Sequence, residues 1–83
     1  MLSEKRFVYV LQSIRDGRLY VGITANVQRR LDTHNAGGSV YTAPYRPWRL
    51  VVAIEFAAER QAVAFEKYLK TGSGRAFVKR HFV

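Results

Sequence analysis

The chain has 83 residues, of which 48% are hydrophobic and 13% aromatic, and its net charge at pH 7 is +8. This composition excludes a disordered tail, and the length leaves room for one domain, so we predict a single domain over residues 1–83. The absence of cysteine excludes disulfides and thiolate metal sites. The positive charge favours a polyanionic partner, nucleic acid above all, although a basic surface can also serve solubility alone.

The N-terminus and the hydropathy pattern give no sign of export or of a membrane. Residues 1–6 lead into a short strand-like stretch and not into the apolar core of a signal peptide. No apolar run is long enough to span a bilayer. We therefore expect a cytoplasmic protein that has no membrane partner.

The first two elements are predicted to be the strands of a β-hairpin. Residues 7–11 and 19–23 are rich in β-branched and aromatic side chains, and Asp16-Gly17 lies between them. Asp-Gly is a strong signal for a two-residue hairpin turn. Such a turn would pair odd-numbered with even-numbered positions across the two strands.

In that register Tyr9 and Tyr20 project from the same face of the hairpin, together with Gly22. Glycine inside a strand weakens it and is often found where a ligand or another backbone approaches closely. The two tyrosines are therefore either cross-strand packing residues, which strands favour, or two phenols beside an open gap.

A helix is predicted to follow the hairpin. Val27, Leu31 and His34 are spaced i, i+4 and i+7, as on one face of a helix. Asn26 is a suitable N-cap, and Gly37-Gly38 is a suitable end.

The second half of the chain is predicted to contain one strand and two helices. An irregular loop over residues 39–47 precedes a strand, Trp48 to Phe56, in which Trp48 is expected in the core. An amphipathic helix is expected over residues 57–70, a break over residues 71–74, and a short helix over residues 75–81. The third strand must pair with the hairpin to satisfy its backbone groups. The predicted fold class is α/β (α+β), a small three-stranded, mainly antiparallel sheet flanked by helices.

Two side chains of the first helix are candidates for contact with a phosphate. Arg30 lies at the border of the core-facing stripe, where a guanidinium can donate paired hydrogen bonds to a phosphate. Its alternative role is an ion pair with Glu55 or Glu66. His34 could donate to a phosphate or shuttle a proton, or it could lie at the helix end near the last carbonyls.

Glu66 occupies a similar border position on the second predicted helix. One carboxylate, together with substrate phosphate and water, is a normal Mg²⁺ arrangement. The alternative is a solvated side chain paired with Lys70 at i+4.

Taken together, these positions resemble the GIY-YIG nuclease superfamily, over about residues 7–69. The two name-giving motifs correspond to Phe7-Val8-Tyr9 and Tyr20-Val21-Gly22. Residues 22–31 are similar to the loop and the arginine-bearing helix of the family, and His34-Asn35 follows as in many members. Residues 64–67 are similar to the segment that carries the metal-binding glutamate. The likeness is greatest to small stand-alone bacterial members and to the domain of Slx-type endonucleases.

The resemblance implies hydrolysis of a phosphodiester in DNA with a single divalent ion, Mg²⁺ or Mn²⁺. It implies that Tyr9 and Tyr20 position or deprotonate the attacking water, and that Arg30 stabilises charge on the phosphate. Glu66 would hold the metal, and His34 would assist. Cleavage is expected to depend on DNA structure and not on base sequence, in repair or recombination.

Basic residues outside this group are expected to contact the nucleic acid backbone. These are Arg29, Arg46, Lys67, Lys70, Arg75 and Lys79. Phe7 stands where the first motif has its glycine, and no asparagine follows Glu66, where the family has one. These departures keep open an alternative function, a DNA- or RNA-binding module that is non-catalytic or that depends on a protein partner for specificity.

Overall fold

The computed structural model describes residues 4–83 and confirms the predicted fold class. Its elements are β1 (Arg6–Ser13), β2 (Leu19–Thr24), α1 (Val27–Asn35), a 3₁₀ turn (Ala43–Tyr45), β3 (Trp48–Phe56), α2 (Glu59–Leu69) and α3 (Gly72–His81). The strand order is β2-β1-β3, and both pairs are antiparallel. No helix in residues 4–83 is long and apolar enough to cross a membrane. The first three residues, on which the expectation of no signal peptide partly depends, lie outside the described part.

The hairpin turn is longer than the predicted two-residue turn at Asp16-Gly17. The Ser13 amide donates to the Arg18 carbonyl at 2.9 Å, so four residues lie between the last paired positions. The Ser13 hydroxyl accepts hydrogen bonds from the amides of Arg15 and Asp16, at 3.1 and 3.2 Å. A hydroxyl that caps two backbone amides stabilises this wider turn.

The wider turn shifts the strand register by two positions without changing which face each side chain occupies. Tyr9 pairs with Gly22 and Leu11 with Tyr20, whereas the two-residue turn would have paired Tyr9 with Thr24. Since side chains alternate with a period of two, Tyr9 and Tyr20 still lie on the same face, as predicted.

The two faces of the sheet carry different kinds of side chain. One face packs against α2 and α3, and its buried cluster consists of Val8, Val10, Ala62, Leu69 and Val78. The other face carries a cluster of Tyr9, Leu11 and Trp48, with Leu31 of α1 packed against it. Trp48 is only 2% exposed, which confirms its predicted place in the core.

The first helix is held at both ends by asparagine side chains. Asn26 is the N-cap, as predicted, and its Oδ1 accepts from the Arg29 amide at 3.0 Å. At the other end, the Asn35 amide group donates to the Trp48 carbonyl at 3.0 Å and accepts from the Trp48 amide at 2.7 Å. Gly37 follows with φ of +83°, a conformation that favours glycine. The start of β3 is thereby tied to the end of α1.

The last helix begins earlier than the sequence predicts. We expected a break over residues 71–74, but Thr71 is the N-cap and its hydroxyl accepts from the Gly74 amide at 3.1 Å. A Cβ at Gly74 would overlap the backbone of Tyr68 and Leu69. Gly74 therefore permits close contact between α3 and the end of α2, and it does not end a helix.

Candidate active site

Tyr9 is the buried residue at the centre of the candidate site. Its side chain is buried, with 1% of the residue exposed, and its hydroxyl lies directly over Gly22 on the neighbouring strand. A Cβ at position 22 would overlap that hydroxyl. The glycine inside β2 therefore makes room for the phenol of Tyr9, which is a close approach of the kind that its position in a strand suggested.

A chain of hydrogen bonds extends from Tyr9 into α1 and the loop beyond it. The Tyr9 hydroxyl is 2.9 Å from His34 Nε2, and His34 Nδ1 is 2.7 Å from Thr42 Oγ1. The Thr42 carbonyl accepts from Trp48 Nε1 at 2.9 Å. His34 and Thr42 are both fully buried. His34 is thus neither an exposed phosphate ligand nor a helix-end residue on the carbonyls, which were the roles predicted for it besides proton transfer.

Burial shifts the pKa values of Tyr9 and His34 in opposite directions. Desolvation raises the pKa of Tyr9, whereas the Arg30 guanidinium lowers it through its approach to the hydroxyl and its charge, and Glu66 raises it. Desolvation and the charge of Arg30 lower the pKa of His34. Both groups are therefore neutral near pH 7, and proton transfer from Tyr9 to His34 is unfavourable. The hydrogen bond orients the phenol.

Tyr20 is the more accessible of the two phenols. It is half-buried, and its ring centroid lies 6.3 Å from that of Tyr9 and 5.0 Å from that of His34. On its other side Tyr20 lines an open cavity, where the Tyr41 ring centroid is 6.1 Å away. A substrate or a water molecule can therefore reach Tyr20, whereas the Tyr9 side chain is covered.

Arg30, on α1, and Glu66, on α2, shift the pKa of Tyr9 in opposite directions, Arg30 downward and Glu66 upward. Arg30 is exposed, and within residues 4–83 it forms no ion pair with Glu55 or Glu66, the alternative that the sequence left open. Glu66 does pair with Lys70 at i+4, with 3.1 Å between Lys70 Nζ and Glu66 Oε2, as its alternative role predicted.

The residues present fit a hard cation held by one protein carboxylate, and not a closed metal cage. Within the described residues no group of three His, Cys, Asp or Glu side chains is close enough to hold a metal ion. The Glu66 side chain is 17% exposed, and its partner Lys70 is 51% exposed and can move away. A single carboxylate completed by phosphate and water oxygens suits Mg²⁺ or Mn²⁺.

The six basic residues expected to contact nucleic acid are all exposed but fall into two groups. Three of them line the cavity beside Tyr20: Lys70, Arg75 and Lys79. The other three, Arg29, Arg46 and Lys67, do not line that cavity. Arg46 lies over Gly37, where a Cβ would overlap its guanidinium.

The sequence did not reveal Thr42, which completes the buried hydrogen-bond chain. Thr42 lies in a loop without periodicity, eight positions from His34, so no spacing rule connects the two. Asn35 was noted as part of a motif, but its link to the backbone of Trp48 became evident only from the fold.

Comparison of the chain with known proteins identifies a family to which it is similar. A sequence model described as the GIY-YIG catalytic domain matches residues 5–80. A UPF0213 protein of Bacillus licheniformis is 44% identical over 71 residues, covering 84% of this chain and 72% of that protein. A UPF0213 protein of Streptococcus agalactiae is 35% identical over 85 residues, covering 98% of this chain and 96% of that one.

A solved structure agrees with this assignment. The solution NMR structure of a UPF0213 protein from Bacillus halodurans aligns with a TM-score of 0.56 and 30% identity, covering 92% of this chain and 83% of that chain. The motifs read from the sequence, the sheet order and the family match all agree. The chain belongs to the GIY-YIG family, whose catalytic domain its residues 5–80 match.

Proposed function

We propose that this protein is a metal-dependent endonuclease that hydrolyses phosphodiester bonds in DNA, selecting its substrate by structure in repair or recombination. The observation that carries the proposal is the arrangement around the Tyr9 hydroxyl. The charges of a guanidinium, Arg30, and of a carboxylate, Glu66, both influence the pKa of this hydroxyl, and the ring centroid of a second phenol, Tyr20, lies 6.3 Å from that of Tyr9. The chain has a net charge of +8, which attracts a polyanion, and Lys70, Arg75 and Lys79 line the cavity beside Tyr20.

Arg30 and Tyr20 are the residues proposed to contact the scissile phosphate and the attacking water. Arg30 is exposed and takes part in no ion pair within residues 4–83, so its guanidinium can form two hydrogen bonds with a phosphate and stabilise charge in the transition state. Tyr20 is accessible from the cavity, which supports a role in orienting the water.

Tyr9, His34 and Thr42 are proposed to position the site. The burial and raised pKa of Tyr9 argue against a role as general base near neutral pH. Its hydroxyl is instead held by its hydrogen bond with His34, where the charge of Arg30 reaches it. His34 assists by holding the phenol, and Thr42 holds the imidazole.

Glu66 is the residue proposed to hold Mg²⁺ or Mn²⁺. A bound divalent ion supplies charge neutralisation at the phosphate and lowers the pKa of a coordinated water. For this, Lys70 must leave the carboxylate; the Lys70 side chain is 51% exposed and can return to water, and an ion pair near the surface contributes only about 0–1 kcal/mol.

The proposal is tested with labelled DNA duplex, single strand, flap and branched junction, each with Mg²⁺, Mn²⁺ or EDTA. Wild type should cut at least one of them only with metal, and Glu66→Ala and Arg30→Ala should not. Glu59→Ala, which removes an acid from the same helix, should cut normally. If the wild type cuts none of the substrates, or if Glu66→Ala cuts as well as the wild type, the proposal fails.

The ion pair between Glu66 and Lys70 favours one alternative, a binding module of the same fold that is non-catalytic or needs a protein partner. In that case the carboxylate serves only to hold Lys70, and DNA or RNA binds without being cut. Binding by the wild type without cleavage on every substrate, with or without metal, would support this alternative.

A further inference from the structure

A cavity of about 600 Å³ lies directly beside the candidate active site. It runs along β2, an edge strand of the sheet, and is bounded by the end of α2 and by α3. Leu19, Val21, Leu69 and Val78 contribute its apolar surface. The volume is in the range of small-ligand sites, about 300–1,000 Å³.

The cavity carries only positive charge. Its charged lining residues are Arg18, Lys70, Arg75 and Lys79, with no acidic residue among the lining. Arg18 and Lys70 are held in ion pairs, by Asp16 and Glu66. Arg75 and Lys79 are exposed on α3 and take part in no ion pair within residues 4–83. Two cations are therefore available to an anionic ligand.

Aromatic rings connect this cavity to the active site. Tyr20 belongs to both, since it lies beside Tyr9 and also lines the cavity. Tyr41, on the rim, is 58% exposed, and its ring centroid lies 6.1 Å from that of Tyr20 and 6.1 Å from that of Tyr45. A basic groove with exposed aromatic rings is the arrangement by which proteins bind single-stranded nucleic acid, since every base can stack on a ring.

We propose that the cavity binds a single-stranded DNA segment that continues from the phosphate cleaved at Tyr20 and Arg30. A base stacks on Tyr41, and the backbone phosphates lie against Arg75 and Lys79. This inference rests on the proposed nuclease function and deepens it, because it specifies the substrate class. The preferred substrate is DNA with an unpaired segment next to the cleavage point, such as a flap.

The test is a binding measurement that does not depend on cleavage. Fluorescence anisotropy is recorded in EDTA with a labelled oligo-dT of about 12 nucleotides, within the usual range of single-strand site sizes. Three variants are compared with the wild type: Tyr41→Ala, Arg75→Ala/Lys79→Ala, and a control, Arg60→Ala/Arg80→Ala. The control removes the same charge, and Arg80 lies on the same helix but lines a different surface depression.

Tyr41→Ala should weaken binding about tenfold with an unchanged salt dependence, because it removes stacking. Arg75→Ala/Lys79→Ala should lower the slope of log affinity against log salt by about 1.4, that is, two contacts at about 0.7 each on a single strand. The control should bind nearly as the wild type does. Equal weakening by both double variants, or wild-type binding by Tyr41→Ala, would overturn the inference.

Failure of this inference is distinguishable from failure of the nuclease proposal. If the wild type cuts DNA with metal but the cavity variants bind oligo-dT normally, the strand site is wrong and the nuclease stands. If the cavity variants lose oligo-dT binding but the wild type cuts nothing, the nuclease proposal fails and the single-strand site stands.

Discussion

The two faces of the sheet differ in what fills them and in how they are held. On the face covered by α2 and α3, the five core residues are at most 1% exposed and entirely apolar. On the other face, Tyr9, His34 and Thr42 are equally buried but polar. Their buried polar atoms form hydrogen bonds, and no buried side-chain nitrogen or oxygen within residues 4–83 lacks a hydrogen-bond partner.

The difference shows that one cluster of buried side chains stabilises the domain, while another positions the candidate active site. Burial of a Val or Leu side chain contributes about 1.5–3 kcal/mol, so the five apolar core residues under α2 and α3 supply a large share of the stability. A net hydrogen bond contributes only about 1 kcal/mol, but a buried polar group left unpaired costs more than that. The hydrogen bonds of Tyr9, His34 and Thr42 therefore add little stability, while they fix the geometry of Tyr9.

The largest effect is expected where the polar face is most crowded. Gly22→Ala places a methyl group against the Tyr9 hydroxyl and should cost about 3 kcal/mol, at the upper end for overpacking. Cleavage should also be lost, because the phenol must move. Gly72→Ala is the control, since a Cβ there meets nothing within 4 Å. Urea denaturation and cleavage assays measure both effects, and a Gly22→Ala protein with wild-type activity would contradict the described packing.

A loss of stability without a loss of chemistry is expected on the apolar face. Val10→Ala removes two buried methyl carbons, worth about 0.8 kcal/mol each, and leaves a cavity, for a total of about 2 kcal/mol. Val40→Ala serves as the control because Val40 is 94% exposed and should melt as the wild type does. Equal urea midpoints for the two variants would show that this face is not the stabilising one.

A smaller effect on stability is expected from a change at Thr42, whose hydroxyl forms a hydrogen bond with His34 Nδ1. Thr42→Val leaves that nitrogen without its partner and should cost about 1–2 kcal/mol, and cleavage should slow as Tyr9 loses its fixed orientation. Thr42→Ser keeps the hydroxyl and should restore both. If Ser behaves like Val, the hydrogen bond is not what matters at this position.

The smallest effect is a dependence of stability on pH that comes from His34. Since burial holds the pKa of His34 below its usual value, the unfolded chain takes up the proton more readily. Stability should therefore fall as the pH drops below about 6.5, with a slope of at most about 1.4 kcal/mol per pH unit from this group. Urea unfolding from pH 5 to 8, in about half-unit steps, measures it. His81→Gln should keep this dependence and His34→Gln should lose it.

The sequence predicted which face of the sheet each side chain occupies better than it predicted which residues pair across the strands. Alternation fixed Tyr9 and Tyr20 on one face regardless of turn length, because the register changed by two positions. The turn itself was predicted wrongly, since the capping of two amides by Ser13 depends on a side chain that the Asp-Gly rule ignores. The break predicted around Gly74 was also wrong, because glycine also permits close contact between two helices.

The candidate site could be predicted only where its residues lie on regular elements. Tyr20, Arg30 and Glu66 lie on a strand and two helices, where periodicity indicates direction. The contact of Thr42 with His34 and the cavity between β2 and α3 both depend on how distant segments pack. No local pattern in the sequence encodes either of them.

The most direct test of the division between the faces compares Arg30→Lys with Val10→Ala. Single-turnover cleavage and urea midpoints are measured for both, on the substrate that the wild type cuts best. Arg30→Lys should keep the wild-type midpoint but lose about a hundredfold in rate, because lysine keeps the charge without the paired hydrogen bonds. Val10→Ala should show the lower midpoint and, while folded, the wild-type rate. The opposite pattern, or equal losses in both variants, would contradict the account.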